Sequence, residues 1–135
     1  MTVVDSSRTT MESYLQALLT RGGFADYLSD DVALEIVGSG KSAHGRTEVA
    51  GMIRHIHEQA FDATAKLKSL VVEGHRAAIE ADFVGRHTAE FAGIAGTDRR
   101  VCVPYSVHYD LRTGGQVSAL RIYGLADGLV HALTA

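Results

Sequence analysis

The sequence predicts an α+β fold in which an antiparallel sheet curves around a pocket and the helices come first. Three observations predict it. Apolar residues recur at helical spacing as far as Phe61, and beyond it the chain changes to long strand-like stretches with Gly-containing connections. Helices followed by a meander argue for segregated α and β elements rather than an alternating α/β order. The Gly-rich span Gly85–Arg100, GRHTAEFAGIAGTDRR, joins two long strands, the second being the alternating run Val101–Leu111.

In order along the chain, Thr9–Arg21 reads as a helix with Met11, Tyr14, Leu15, Leu18 and Leu19 on one apolar face. Thr9 with Glu12 makes a capping-box pattern, and Gly22-Gly23 ends the helix. Phe24–Leu28 is a short helical turn, Val32–Gly38 a first strand, and 38–45 a loop. Arg46–Phe61 is a third helix with Val49, Met52, Ile53, Ile56 and Ala60 as its core face. Thr64–Glu73, Arg76–Phe91, Arg100–Leu111 and Gln116–Gly124 complete the strands. Met1–Ser7 and the last few residues are expected to be loose.

Composition narrows the function. With 135 residues, 46% of them hydrophobic, the chain (residues 1–135) is expected to form one domain around one core. A formal charge of −3 and 13 scattered Lys and Arg residues argue against nucleic acid or an acidic membrane as partner. Cys102 is the one cysteine, which excludes an internal disulfide and fits a reducing, cytoplasmic compartment. No apolar signal core and no membrane-length run is present. No metal site is expected, because His55 and His57, at i and i+2 of a helix, point nearly opposite ways and Cys102 has no ligand at zinc spacing. Gly38-Ser-Gly-Lys-Ser42 lacks the spacing of a phosphate loop.

Gly85-Arg-His-Thr88, Glu90-Phe-Ala-Gly-Ile94 and Thr97-Asp-Arg-Arg100 resemble the "GTHTGEF-GI--TGR" signature of SnoaL-like polyketide and ester cyclases. Those belong to the superfamily of nuclear transport factor 2, ketosteroid isomerase and scytalone dehydratase. The resemblance implies a cone: a curved antiparallel sheet wrapping N-terminal helices and often dimerising through its outer face. It also implies a cofactor-free cyclase or isomerase acting on a small hydrophobic, polyketide-like molecule. Fold alone does not fix the activity.

Strand alternation then assigns the faces. In Arg76–Phe91, one face carries Ile79, Ala81, Phe83, Gly85, His87, Ala89 and Phe91, with His87 its only ionisable member. In the following strand Tyr105, Val107, Tyr109 and Leu111 share a face, opposite Ser106, His108 and Asp110. Leu120-Arg-Ile-Tyr123 resembles the family's "W-R-D-Y", which places Ile122 where an inward acid would stand. Pairing Leu111 with Gln116 also turns Leu120 and Ile122 inward, whereas a one-residue bulge would put Arg121 and Tyr123 there instead.

The expected pocket is therefore lined by Phe83, His87, Tyr105, Tyr109 and Ile122, with Tyr14 and Phe24 near its rim. His87 is either a general acid/base or a core histidine bonded to a carbonyl. Tyr105 and Tyr109 are either phenol donors to a carbonyl or enolate oxygen or plain lining, and Tyr14 is a third phenol. His108 and Asp110 are expected at an interface, and a homodimer is expected to use Arg86, Ser106 and His108. The leading function is a cyclase or isomerase. Its rival is a non-catalytic ligand-binding or assembly module that lost the acid, favoured by Ile122. An epoxide hydrolase is a third reading, needing an inward Asp-Arg-Asp set that Asp82 and Asp110 do not supply.

Overall fold

The structure, a computed structural model, describes residues 3–134, with side chains from Ser6 onward. The first helix, α1 (Val3–Leu19), buries Met11, Tyr14 and Leu15 and leaves Leu19 exposed. Thr9 lies inside it, so the Thr9–Glu12 pair is not a capping box. Of the stretch expected to be loose, Met1 and Thr2 lie outside the described residues, while Val3–Ser7 are helical and Ser7 is buried. A 3-10 turn at Phe24–Tyr27 leads into β1 (Leu28–Ile36). The expected loop contains β2 (Lys41–His44), which folds back antiparallel on β1. The third helix divides into α2 (Arg46–Arg54) and a π-helical turn, His55–Ala60.

Four strands follow: β3 (Phe61–Glu73), β4 (Arg76–His87), β5 (Arg100–Leu111) and β6 (Val117–Tyr123). β4 stops at His87 rather than Phe91 because the next two N–H groups, of Thr88 and Ala89, turn to the carbonyl of Ala60. Where the last few residues are expected to be loose, the structure forms a further helix as far as Thr134, α3 (Leu125–Thr134), because Leu125, Leu129 and Leu133 are buried at a spacing of four. Ala135 lies outside the described residues.

The sheet runs β2-β1-β6-β5-β4-β3. It is mixed rather than wholly antiparallel, because β1 lies parallel to β6. Register shifts at Leu67/Ser69, Asp110/Leu111 and Leu28/Ala33 interrupt the ladders. Such bulges bend long strands, and the sheet curves without closing. Within the curve, α1 packs on β3 and β4, α2 on β1, and α3 on β5.

Two glycines permit close approach. A Cβ on Gly85 would lie 2.3 Å from the Asp62 carbonyl oxygen and 2.5 Å from Ala63 Cα, both backbone atoms of β3. A Cβ on Gly128 would meet Val103 Cγ1 at 2.4 Å, so glycine lets α3 lie flat on β5. A strand backbone yields less readily than a side-chain tip. Gly85→Ala is therefore expected to destabilise the fold by about 1–3 kcal/mol through overpacking, measured by chemical denaturation; unchanged stability would show that β3 and β4 are not so tightly apposed.

Candidate functional site

The β5–β6 register decides what faces the interior. The Arg112 N–H donates to the Gln116 carbonyl at 2.8 Å, so the ladder opens with Leu111 opposite Val117 rather than Gln116. Ser118 is then passed over, and Asp110 pairs with Ala119. These two one-residue offsets cancel in parity. Tyr109 meets Leu120 and Val107 meets Ile122, with Leu120 and Ile122 buried. Arg121 turns outward and donates to both oxygens of Asp110, at 3.1 and 3.2 Å. Tyr123 is also outside, against the His108 ring at 5.1 Å. Asp82 is engaged by Lys68 at 2.8 Å. Among the described residues the interior therefore holds no Asp-Arg-Asp set, and Asp110 is committed to Arg121 rather than to His108.

Inside the curve lies a cavity of about 30 Å³ lined by Tyr14, Tyr105, Tyr109 and Ile122, with His57, Ile56 and aliphatic neighbours. Tyr14 and Tyr109 meet edge to face, with centroids 5.9 Å apart. Among the described residues no hydrogen bond engages the three hydroxyls. Burial pushes the Tyr105 phenol up to about 12, and burial with the neighbouring phenols raises Tyr14 and Tyr109 as well. All three are neutral O–H donors at physiological pH.

The other expected lining residues stand further back. Tyr14 is in the cavity wall rather than at a rim, and Phe24 lies behind it, ring to ring at 6.2 Å and capped by the Arg54 guanidinium. Phe83 packs beside Tyr105 and His57 without lining the cavity. His87 faces inward, fully buried, but it too is set behind Phe61, with ring centroids 5.0 Å apart. Thr97 meets its Nδ1 twice, through the hydroxyl at 2.9 Å and the backbone N–H at 3.2 Å. Nδ1 is thus the acceptor, and the ring proton sits on Nε2. The His87 backbone bonds Asp98 and Arg99, so this residue pins the 88–99 loop to the end of β4. Thr88 adds a hydroxyl bond to the Gln59 carbonyl at 2.7 Å, tying the same loop to the π-turn.

His57 and His55 diverge as their i and i+2 spacing predicts, and the divergence is what places His57. His55 is exposed and borders a second, outer hollow, whereas His57 enters the cavity wall. Its Nδ1 lies 2.9 Å from the Ile53 carbonyl and its Nε2 is buried without a partner. Burial holds its pKa below the ordinary histidine value. Helical spacing does mark this residue, since His57 stands at i+4 from Ile53 and i+8 from Val49, but the core face read from the sequence holds only its apolar neighbours Val49, Met52, Ile53, Ile56 and Ala60.

A second hollow, about 270 Å³, opens where α2, the π-turn, the 88–99 loop and α3 meet. Its floor is apolar (Ile36, Met52, Phe91, Val130) and its rim carries Lys41, Glu90 and Asp127. Ile56 lines both this mouth cleft and the inner cavity, and so forms the partition between them. Among the described residues no group of three or more His, Cys, Asp or Glu side chains is placed to hold a metal ion. Nor is any helix long and apolar enough to cross a membrane.

Residues 11–124 match the model of a family described as SnoaL-like polyketide cyclase. A proposed SnoaL-like polyketide cyclase from Jannaschia sp. CCS1 has a similar structure, with TM-score 0.85 and 18% identity over 100% of this chain and 96% of that one. AclR from Streptomyces galilaeus, a proposed hydroxylase, superposes with TM-score 0.77 at 17% identity, covering 96% of each chain. A proposed ketosteroid isomerase from Kribbella flavida DSM 17836 gives TM-score 0.70 and 21% identity over 90% of this chain and 79% of that one. At these identities the likeness is one of fold. No curated protein matches the sequence.

Ile122 tests the geometry directly. An Asp placed there enters an apolar wall, where desolvation raises its pKa above the unfolded value of about 3.9. Between those two values the folded state holds a proton that the unfolded state has released, so stability falls as pH rises. Ile122→Asp is expected to lose about 3 kcal/mol relative to the parent at pH 8, and less near pH 4. Melting scans at the two pH values check this; equal stability at pH 8 would place residue 122 in solvent.

Proposed function

Because the chain belongs to the SnoaL-like polyketide cyclase family, we propose that it is a cofactor-free cyclase or isomerase of the cytoplasm, acting on a hydrophobic, polyketide-like molecule. One observation carries the reading: three phenols line an apolar interior with no hydrogen-bond partner among the described residues. Preorganised O–H donors in a dry site stabilise negative charge developing on a carbonyl oxygen, as in an enolate or an aldol alkoxide. Holding the two reacting ends of one chain together contributes further, and needs no strong acid.

The inner cavity holds about one water molecule by volume, so a substrate enters only if the wall gives way, and Ile56, shared with the mouth cleft, is the side chain placed to move. The mouth cleft and the inner cavity together approach the lower end of ordinary ligand pockets, about 300 Å³. The substrate body would rest on the cleft's apolar floor, with an oxygen-bearing end reaching the phenols. Ile122 favours a second reading, a ligand-binding module without turnover, since among the described residues no carboxylate lines the cavity. The homodimer expected from the sequence belongs to the same proposal. Arg86 and His108 are exposed and Ser106 half-buried, near the exposed apolar Val84 and Tyr123.

2-Naphthol, an apolar molecule with one enol-like hydroxyl, tests the binding claim by fluorescence titration. It is expected to bind, and Tyr105→Phe to weaken it about tenfold, the value of one good hydrogen bond. Absence of binding, or indifference to Tyr105, would end this reading. Conversion of an aromatic β-keto ester with a second ketone in ring-forming reach, followed by absorbance, then separates enzyme from binder. Light scattering at micromolar concentration is expected to give the dimer mass; a monomer mass would remove the dimer proposal.

A further inference from the structure

Among the described residues His57 is the one ionisable side chain other than the phenols that lines the inner cavity. Its Nδ1 points back along its own helix to the Ile53 carbonyl, 2.9 Å away, so Nδ1 carries the proton and donates. The far edge of the ring then bears Nε2 as a lone-pair acceptor, directed away from the helix, buried and without a partner. A buried acceptor left unpaired carries its full desolvation cost, which a bound proton donor would offset. Its placement is fixed from both ends. The Arg21 guanidinium holds the His57 carbonyl at 3.3 Å and the Ala63 carbonyl at 3.2 Å, and Thr88 holds Gln59.

We infer that His57 is the proton-transfer residue of this cavity, with Nε2 taking a proton from a carbon next to a substrate carbonyl. The inference rests on the cyclase or isomerase reading above and names the base it lacked. The C–H bond breaks, its proton passes to Nε2, and its electron pair moves into the carbonyl to give an enolate oxygen held by tyrosine O–H groups. In an isomerisation the imidazolium returns the proton to carbon. In a ring closure the enolate carbon bonds to a second carbonyl of the same molecule, and the imidazolium protonates the new alkoxide. His57 ends neutral in both, and no further reactant is consumed.

The surroundings define the substrate class. The charged groups near His57 are Arg21 of α1, itself paired with Asp62 of β3 at 2.7 Å, and Glu58 on its own turn. Tyr14, Tyr105 and Tyr109 face it from α1 and β5, while β1, β4, β6 and α3 present only aliphatic side chains to the cavity. Among the described residues no carboxylate lines the cavity to stabilise the imidazolium, so the base is a weak one. It therefore suits a carbon acid activated twice, by two carbonyls or by a carbonyl and an aromatic ring.

2-Tetralone has such a carbon, and deuterium uptake at C1, followed by NMR, reads the step without knowledge of the natural substrate. Exchange is expected to fall with acidification through one step below the ordinary histidine value, because protonation removes the lone pair. His57→Asn keeps a donor near the Nδ1 position and removes Nε2. It is expected to lower exchange at least about 100-fold while 2-tetralone still binds, and His57→Gln serves if the first variant melts early. A check without variants is that the midpoint of the wild-type profile coincides with the NMR titration of His57. Unchanged exchange in a folded variant, or two different midpoints, would overturn the inference. Binding without exchange would overturn it too and leave the binding-module reading standing; no binding would end both.

Discussion

The pairing of β5 with β6 is the constraint on which the rest of the site depends. Side chains alternate, so a single unmatched residue would exchange Ile122 and Leu120 for Arg121 and Tyr123. The interior would then hold a guanidinium and lose its apolar wall. The observed ladder contains two offsets, one at the turn and one at Ser118, and their cancellation keeps the outer pair Arg121–Asp110 on the opposite face. That bidentate contact satisfies both charges outside and reinforces the register that excludes them from the cavity.

The residues most easily recognised in sequence turn out to organise backbone. His87, Thr88 and Thr97 spend their hydrogen bonds on the 88–99 loop and on the carbonyls of the π-turn. Glu90 likewise caps the Gly93 N–H at 2.6 Å, and Phe91 bridges to Ile94. The loop thereby holds the π-turn against the open end of the sheet, and His57 rides on that turn. A recurrent signature can thus stand one layer behind the chemistry it supports. The aromatic series His87, Phe61, Phe83, His57 shows the separation, one histidine at each end and only the second at the cavity.

Strand alternation in β4 and β5 was legible because each strand has one buried face, and it placed Phe83, His87, Tyr105 and Tyr109 inward. What it could not carry was depth. Phe61 and Phe83 fill the space in front of His87, a matter of packing between β3 and β4 rather than of parity. The parallel β1–β6 pair was hidden because strand direction depends on the path of the intervening chain. α3 was hidden because Gly124 and Gly128 interrupt its helical signal, although Gly128 is what lets it approach Val103. His57 escaped for a related reason. The i and i+2 spacing that parts it from His55 excludes a metal pair and, by the same geometry, turns one of the two rings toward the interior.

A crystal structure with 2-naphthol bound tests the account where it is most exposed. The naphthol oxygen should lie within hydrogen-bond distance of His57 Nε2 and of a hydroxyl from Tyr105 or Tyr109, with Ile56 displaced and Ile122 against the rings. A ligand confined to the mouth cleft over a closed interior, or an Arg121 side chain pointing into the cone, would contradict it.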